Sequence, residues 1–315
     1  MSNHLLVTGG AGFIGSNFIL HLLNNSSYSI TNIDALTYAG NYESIKNFEK
    51  SNRYRFIKCD ISNEAELQHV FDQKYHAIIN FAAESHVDRS IKDASPFIRT
   101  NIKGTFNLLQ AVLLGKAEKM IQISTDEVYG SLEPNDIPFT EETPLKPNNP
   151  YSASKAGADL LVRSYFKTHQ LPLIITRCSN NFGPMQHPEK FIPKTINHAI
   201  NNKTIPLYGD GLNVRDWIYV TDHCLAIQMV LEKGVPGEVY NIGGSEEKTN
   251  REVIEMILNL LGKNTDLIVM AQDRPGHDRR YAMNSSKITR DLGWKPLVTF
   301  PEGIQKTIDW YKRQN

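Results

Sequence analysis

Two groups of polar side chains in this sequence have the types and the spacing that acid–base chemistry needs. Thr125, Asp126 and Glu127 are consecutive and follow an apolar segment, whereas Tyr151 and Lys155 lie one helical turn apart. Two neighbouring carboxyl groups in unlike environments can serve as an acid and a base. A phenol has an ordinary pKa of about 10, and a nearby ammonium group lowers it. These five residues are our candidates for catalysis.

A glycine-rich turn near the start of the chain has the pattern of a phosphate cradle. Residues 8–15 are Thr-Gly-Gly-Ala-Gly-Phe-Ile-Gly, and two spacings fit them. The spacing G-x-x-G-x-x-G uses Gly9, Gly12 and Gly15, whereas G-x-G-x-x-G begins at Gly10. Glycines permit a tight turn and a close backbone approach, and the N-terminus of the following helix attracts a pyrophosphate. The turn therefore predicts a dinucleotide site.

An acidic residue at the expected distance supports this site. Asp34 ends the second predicted strand, about 20 residues after Gly15, which is the spacing of a ribose-binding acid. No Arg or Lys occurs between positions 32 and 41, so Asp34 would repel a 2′-phosphate and NAD is favoured over NADP. Further cofactor-binding candidates continue the turn or follow later strands, where open α/β sheets bind ligands. They are Phe13, Ile14, Asp60, Ile61, Phe81, Ala82 and Ala83.

Each of these features also has a structural interpretation. A Tyr and a Lys one turn apart are common on helix surfaces, and Asp126-Glu127 could be a solvated acidic turn. Asp60 could equally belong to a helix N-terminus, because Ser62 or Asn63 is suited to cap the next helix. We favour catalysis for the five candidates because an NAD fingerprint precedes them and a hydroxyl residue follows a predicted strand.

The elements that would position these side chains alternate between strands and helices. Strands are predicted at residues 4–8, 28–34, 53–60, 76–82, 119–124 and 171–177. Helices are predicted at residues 13–24, 63–73 and 94–115, and another begins with Asn149 as N-cap and Pro150 as first residue. The alternation predicts an α/β fold, a Rossmann-type doubly wound parallel sheet with right-handed crossovers.

The pattern changes beyond about residue 180. Segments become shorter, Pro and Gly recur, and the predicted helices at 222–231 and 251–261 are separated by loops. We therefore predict an NAD-binding Rossmann domain over residues 1–180 and a smaller C-terminal α/β substrate-binding lobe over residues 181–315. Exchange of segments between the two lobes is expected.

Composition and charge exclude several classes of protein. The 315 residues include 34 Lys+Arg and 34 Asp+Glu, and a formal net charge of zero argues against a nucleic-acid or anionic-membrane partner. No apolar run approaches the roughly 18 residues of a membrane span, and no signal-like segment precedes the first strand. Three distant Cys residues form no C-x-x-C pair, and we find no metal-ligand spacing. We expect a cytoplasmic protein without a metal.

The sequence resembles the extended short-chain dehydrogenase/reductase superfamily along essentially its whole length, and within it the dTDP-glucose 4,6-dehydratases. The most specific feature is Thr125-Asp126-Glu127, because adjacent acids after the Thr are unnecessary for simple oxidation or epimerisation. Other matching blocks occur in order at residues 81–90, 101–105, 177–184, 215–217 and 273–278. The resemblance implies bound NAD, with Asn101 among its contacts. It also implies a homodimer formed through the helix at 94–115 and the helix beginning at Tyr151.

The resemblance also implies a mechanism. Tyr151 would remove the proton of the C4′ hydroxyl of dTDP-glucose while C4′ gives a hydride to NAD, with Thr125 bonded to the same oxygen. The resulting ketone acidifies the C5′ proton, which Glu127 would abstract, and Asp126 would protonate the departing C6′ hydroxyl. Hydride return to C6′ then gives dTDP-4-keto-6-deoxyglucose, an intermediate of dTDP-rhamnose or a related deoxysugar.

For the nucleotide sugar, the resemblance implies a set of polar contacts. They are Ser85, His86, Thr125, Asn180, Lys190, Arg215, Asn250, Arg274 and His277. Arg suits a diphosphate because its planar fork gives bidentate bonds. Alternatives stay open: His86 could be structural, Arg215 and Asp216 could be a surface ion pair, and residues 274–280 could be a solvated basic turn.

Two other functions compete with dehydration. Another nucleotide-sugar enzyme of the superfamily, such as a UDP-sugar 4-epimerase or a UDP-glucuronate decarboxylase, shares Thr125, Tyr151 and Lys155. The pair Asp126-Glu127 argues against an epimerase, because an epimerase has no leaving water to protonate. A non-catalytic NAD-binding regulator is the alternative of a different class, and the presence of all three shared residues argues against it. The preference for thymidine rests on the resemblance alone.

Overall fold

A parallel sheet forms the central layer of the protein. The structure is a computed structural model, and it describes residues 3–273 and 277–314. The strands are, in chain order, β1 (His4–Thr8), β2 (Ser29–Asp34), β3 (Tyr54–Lys58), β4 (Ala77–Asn80), β5 (Met120–Thr125), β6 (Leu173–Cys178), β7 (Asn180–Phe182), β8 (Ile205–Tyr208), β9 (Val214–Tyr219), β10 (Val239–Ile242), β11 (Glu247–Thr249) and β12 (Ile268–Ala271). Seven of them make the central sheet in the order β10-β6-β5-β4-β1-β2-β3, with every neighbouring pair parallel. The predicted Rossmann-type sheet is confirmed.

Some helices pack on this sheet, and others, in the C-terminal half, pack on one another and on β8, β9 and β11. The helices are α1 (Phe13–Asn25), α2 (Tyr42–Ile45), α3 (Glu64–Val70), α4 (Val87–Lys92), α5 (Ser95–Phe97), α6 (Thr105–Leu113), α7 (Pro150–His169), α8 (Phe191–Ile200), α9 (Val220–Lys233), α10 (Asn250–Leu260), α11 (Ser286–Leu292) and α12 (Phe300–Gln314). Every residue of β4, β5 and β6 is buried. Burial on both faces explains why these strands are nearly continuous apolar runs that the sequence reveals.

The order of the strands reverses at β1, which pairs with β2 on one side and with β4 on the other. In an open parallel sheet, the loops that leave the carboxyl ends of such strands diverge and leave a crevice between them. The loops after β1, β4 and β5 carry the glycine-rich turn, residues 81–84 and Thr125-Asp126-Glu127. The topology therefore brings the predicted cofactor and catalytic residues to one edge of the sheet.

The predicted helix at 94–115 differs from a regular α-helix. Between α5 and α6, residues Ile98–Gly104 form a π-helical segment. Gly104 lies against Ile61, since a Cβ at this glycine would lie 2.5 Å from the Ile61 Cδ1 atom. A widened turn also redirects side chains, and π segments often occur at functional sites. Here it directs Asn101 towards the loop after β4 and towards α7.

The C-terminal half contains a second layer of structure. β11, β9 and β7 form a three-stranded sheet, and β12 pairs with β8. Aromatic side chains pack beneath them, including Phe182 against Trp217 and Phe300. Other elements of this half join the central layer instead: β10 pairs with β6, α9 packs on α1, and α11 packs on β10 and α9. The division into two lobes at residue 180 stays a prediction. β10 and α9 follow residue 180 in the sequence but pack with the central layer.

No helix among residues 3–273 and 277–314 is long and apolar enough to cross a membrane.

Candidate active site

A cavity of about 330 Å³ lies at the carboxyl edge of the central sheet. Its size is that of a small-molecule site. All five catalytic candidates line it: Thr125, Asp126, Glu127, Tyr151 and Lys155. So do most of the cofactor candidates, namely Gly9, Gly12, Phe13, Ile14, Gly15, Asp34, Asp60, Ile61, Phe81, Ala82 and Ala83, and three further substrate candidates, Ser85, Asn180 and Lys190.

The glycine turn lines the cavity in the G-x-x-G-x-x-G register. Gly9 has a positive φ of 70°, and a Cβ there would lie 2.5 Å from the Ala82 backbone nitrogen. A Cβ at Gly15 would lie 2.4 Å from the Gly9 carbonyl oxygen. Gly10, in contrast, faces the Asn32 side chain and does not line the cavity. The N-terminus of α1 has no side-chain cap, so its backbone N–H groups suit a pyrophosphate.

Asp34 is fixed beside this turn. Its Oδ2 accepts a hydrogen bond of 2.9 Å from Ala11 N, and its Oδ1 accepts one of 2.8 Å from Leu36 N. Burial raises the pKa of the Asp34 carboxyl, while the two backbone bonds oppose the rise. The carboxylate thus stabilises the turn and also forms part of the cavity wall, where a ribose hydroxyl could bond to it.

Asp60 also has two roles in the structure. Its Oδ1 accepts a hydrogen bond of 2.8 Å from Ser62 N, just before α3. The N-cap of α3 is Asn63, whose side chain accepts from Glu66 N. The structural interpretation is therefore correct for this segment, although Asp60 and Ile61 line the cavity as well.

The carboxyl pair lies on a single 3₁₀ turn that follows β5, Asp126–Tyr129. Thr125 Oγ1 accepts from Glu127 N at 3.3 Å and donates to Asp126 Oδ1 at 3.2 Å. Asp126 is only 2% exposed, and its Oδ2 has no hydrogen-bond partner among the described residues. Burial, with the nearby Glu127 and Asp216 carboxyls, raises the pKa of Asp126 well above its ordinary value. A solvated acidic turn is thus wrong for Asp126, and the protonated form expected of a general acid is favoured.

Tyr151 and Lys155 lie in the first turns of α7, as predicted. Asn149 caps this helix through a capping box with Ser152, and Pro150 is its first residue. Both side chains are buried, and Lys155 Nζ donates to the Ile123 carbonyl oxygen at 2.6 Å. Burial, with a smaller effect of Glu127, raises the pKa of Tyr151 well above its ordinary value. The sequence predicts a lowered pKa from Lys155 together with the cationic nicotinamide of NAD, and the protein groups by themselves do not produce it.

Asn101 was predicted to contact the cofactor, but it lies behind the cavity wall. Its Nδ2 donates to the Glu84 carbonyl oxygen at 3.0 Å and to Ser154 Oγ at 2.8 Å, and its Oδ1 accepts from Glu84 N at 2.9 Å. These bonds join the loop after β4 to α7. The π segment thus explains the position of Asn101, which supports the cavity wall without lining it.

Four substrate candidates do not line the described part of the cavity: His86, Arg215, Asn250 and His277. Arg274 lies outside the described residues. Asn250 begins α10, and His277 Nδ1 lies 2.6 Å from Asp273 Oδ1.

The basic residues of this region are not all solvated. Arg215 is buried, donates to the Asp278 carbonyl oxygen at 2.9 Å and stacks on the Tyr281 ring, so the surface ion-pair interpretation is wrong. Arg280 is also buried and bonds to both carboxylate oxygens of Glu247. Arg279 is partly exposed and pairs with Asp210.

The sequence does not predict a cluster of side chains beside the cavity, of which only His86 is a predicted substrate contact. It comprises Tyr38, His86, Arg89, His187 and Glu189, which we call the rim cluster. A carboxylate oxygen of Glu189 lies 3.6 Å from a side-chain nitrogen of each of His86, Arg89 and His187. The loop after β2, the start of α4 and the loop before α8 supply these residues, so no local spacing reveals the cluster.

Comparisons with known proteins agree with this geometry. The sequence profile of the GDP-mannose 4,6 dehydratase family matches residues 6–307. The chain is 53% identical to the low-salt glycan biosynthesis protein Agl12 of Haloferax volcanii, covering 98% of each chain. It is 50% identical to a dTDP-glucose 4,6-dehydratase of Neisseria gonorrhoeae, covering 99% of this chain and 98% of the relative. A crystal structure of dTDP-glucose 4,6-dehydratase from Bacillus anthracis in complex with NAD superposes with a TM-score of 0.92 at 51% identity, covering 99% of this chain and 97% of that one.

Proposed function

The chain belongs to the GDP-mannose 4,6 dehydratase family, and from this premise we propose that it is an NAD-dependent hydro-lyase that converts dTDP-glucose to dTDP-4-keto-6-deoxyglucose. The observation that carries the proposal is the carboxyl pair in the cavity: Asp126 is buried and Glu127 is partly exposed, beside Tyr151. Oxidation alone needs one base. Elimination of water across two carbons also needs a base for the carbon-bound proton and an acid for the departing hydroxyl.

The residues present suit NAD. Gly9 and Gly15 leave no space for a Cβ, and α1 begins without a side-chain cap, so a pyrophosphate can approach the backbone. Asp34, at the end of β2, would hold the adenosine ribose. Bound NAD supplies a hydride acceptor that later returns the hydride, so the cofactor ends each turnover in its starting form.

The protein groups divide the proton transfers between them. Tyr151 takes the proton of the C4′ hydroxyl, and Thr125 bonds to the same oxygen. The C4′ ketone acidifies the C5′ proton, which Glu127 removes as the C5′–C6′ double bond forms. Asp126, kept protonated by burial, gives its proton to the C6′ hydroxyl, which leaves as water. Glu127 then returns a proton to C5′ as C6′ receives the hydride.

Lys155 has a supporting role in the first step. Lys155 belongs to α7, as Tyr151 does, and its side chain is buried. The hydrogen bond from its ammonium group to the Ile123 carbonyl oxygen fixes its position. A fixed positive charge stabilises a phenolate formed transiently at Tyr151. Because burial otherwise opposes ionisation of this phenol, the base is generated only when further positive charge is present in the cavity.

The substrate contacts fall into two groups. Ser85, Asn180 and Lys190 line the cavity with the catalytic residues and would contact the sugar or its phosphate. The resemblance implies that His86 would lie near the sugar or the phosphate, and that the diphosphate and the nucleoside would be held by Arg215, Asn250, Arg274 and His277. The name of the gonococcal relative supports dTDP-glucose as the nucleotide sugar.

A product assay tests the proposal. The purified protein, incubated with dTDP-glucose in deuterium oxide, should yield a product lighter by one water and carrying deuterium at C5′. UDP-glucose, which differs in the nucleoside alone, and GDP-mannose, which differs in both the nucleoside and the sugar, serve as comparison substrates. Unchanged dTDP-glucose together with interconversion of UDP-glucose and UDP-galactose would instead identify an epimerase.

Assembly and context are part of the same proposal. Apolar side chains are exposed on two neighbouring helices, with Phe106 and Leu113 on α6 at 40% and 39% and Leu160 on α7 at 57%. A second copy of the chain that covers these faces would give a homodimer, which the mass in light scattering tests. We place the enzyme in the cytoplasm, on the route to dTDP-rhamnose or a related deoxysugar, with no nucleic-acid or membrane partner.

A further inference from the structure

Asn149 uses both ends of its side-chain amide. Its Oδ1 accepts from Ser152 N at 2.9 Å, and Ser152 Oγ accepts from Asn149 N at 3.3 Å, which together cap α7. Because the oxygen is held by the helix, the amide nitrogen must point away from it. That nitrogen, Nδ2, donates to Glu127 Oε2 at 3.4 Å. The Asn149 side chain therefore joins the start of α7 to the carboxylate of Glu127.

The Glu127 carboxylate needs such a contact. The backbone of Glu127 is fixed through Thr125 Oγ1, but a glutamate side chain has several rotatable bonds beyond the backbone. Removal of a carbon-bound proton requires the carboxylate oxygen to stay in line with that bond. A donor on a rigid helix start restricts the side chain at little entropic cost.

The residue type at 149 matches this double role. Asn, Asp and Ser are all good N-cap residues, so capping alone does not select among them. Asp would place a second carboxylate beside Glu127, and the Ser hydroxyl is too short to reach both partners. A Ser hydroxyl accepts and donates through a single oxygen, whereas Asn carries its acceptor and its donor on two separate atoms and can serve the helix and a carboxylate at once.

We propose that Asn149 is a positioning residue for Glu127. Asn149 holds the carboxylate of Glu127, the base of the elimination step, in a fixed position relative to the helix that carries Tyr151. The role rests on the proposed dehydration. Tyr151 is the second residue of the same helix, so the bases for oxidation and for elimination are both held close to one N-cap. Loss of the amide nitrogen should therefore slow elimination more than oxidation.

The test separates the cap from the donor. Asn149→Ser keeps a capping oxygen and loses the donor to Glu127. Asn149→Asp also keeps the cap and adds a repulsive charge. Ser152→Ala is the matched control, because it removes the reciprocal bond of the capping box and leaves Asn149 Nδ2 in place. For each variant we would measure formation of enzyme-bound NADH in a single turnover, deuterium uptake at C5′, and Tm.

With Asn149→Ser, C5′ deuterium uptake should fall about tenfold, whereas NADH formation should change by less than about twofold. Enzyme-bound NADH should then accumulate during turnover. Asn149→Asp should show the larger loss of C5′ exchange. Ser152→Ala should lower Tm and leave the ratio of the two rates as in the wild type.

Two results would overturn the role of Asn149. Parallel loss of NADH formation and C5′ exchange in Asn149→Ser would show that the residue acts only through α7. Wild-type rates of both NADH formation and C5′ exchange in Asn149→Ser would show no role at all. A wild-type protein that leaves dTDP-glucose unreacted would overturn the proposed function and this role together, so the two failures are distinguishable.

Discussion

The guanidinium group of Arg89 lies over the ring of Tyr38, with its carbon 3.6 Å from the ring centroid. Tyr38 belongs to the loop after β2, whose Thr37 and Ala39 line the cavity, and Arg89 belongs to α4. Arg89 also faces Glu189, which precedes α8 in the C-terminal half. The stack therefore joins α4 to the loop after β2, and the contact with Glu189 extends it to the loop before α8.

We expect this contact to slow the release of bound NAD. A cation–π contact at a partly exposed site contributes about 0.5–1 kcal/mol, so Arg89→Ala should accelerate NAD loss by about fivefold or less. The measurement is the NAD remaining on the protein after timed dilution and filtration. Arg55→Ala is the control, since Arg55 pairs with Asp72 at 3.0 Å far from the cavity lining. Equal retention in Arg89→Ala and wild type would contradict the prediction.

Tyr151 and Glu127 should fail at different steps. Tyr151→Phe removes the base for oxidation, and NADH formation should fall by about 10²–10⁴-fold. Glu127→Gln keeps that base, so NADH should still form while deuterium uptake at C5′ stops. Single-turnover absorbance and mass spectrometry of the product give the two rates. Equal loss of both rates in both variants would contradict the assigned division of roles.

The catalytic residues could be predicted because local rules place them. Asn149 and Pro150 are strong signals for a helix start, which fixes the face that Tyr151 and Lys155 share. Thr125 is the last of the six buried residues of β5, a strand that is visible in the sequence as an apolar run. Spacing along one element is a local property, and sequence alone reveals it.

Contacts between distant loops could not be predicted. The rim cluster joins Tyr38, Arg89 and Glu189, which are separated by 50 residues or more and have no common period. The edge strand β10 has only four residues, and its place depends on pairing with β6. The raised pKa of Tyr151 likewise depends on burial by the whole fold.

A buried ion pair behind the active site should be important for stability. Arg177 Nε lies 2.9 Å from Asp159 Oδ2, with side-chain exposures of 7% and 1%, and Arg177 also donates to the Tyr129 hydroxyl. Asp159→Ala leaves the guanidinium buried without its counter-charge, and the free energy of unfolding should fall by about 3–5 kcal/mol. Urea titration measures this loss.

The exposed pair between Arg55 and Asp72 provides the comparison for that experiment. Its side chains are 52% and 48% exposed, so Asp72→Ala should cost only about 0–1 kcal/mol. Similar losses for Asp159→Ala and Asp72→Ala would show that burial does not set the contribution of the Arg177 pair.

His223 should give the stability of the protein a pH dependence. The imidazole is fully buried on α9, and burial lowers its pKa to about 3. In the unfolded chain the pKa is about 6.5. As the pH falls below about 6.5, the unfolded chain binds a proton that the folded protein does not bind until the pH nears 3, so the free energy of unfolding decreases.

Through this residue, the free energy of unfolding should be about 1.4 kcal/mol lower at about pH 5.5 than at about pH 7.5. His223→Gln removes the titrating group, so urea titrations of this variant should lack that part of the difference between the two pH values. His69→Gln, at an exposed position on α3, is the control and should keep the wild-type difference. A His223→Gln variant with the full wild-type difference would contradict a buried neutral imidazole, because the proton uptake would then arise elsewhere.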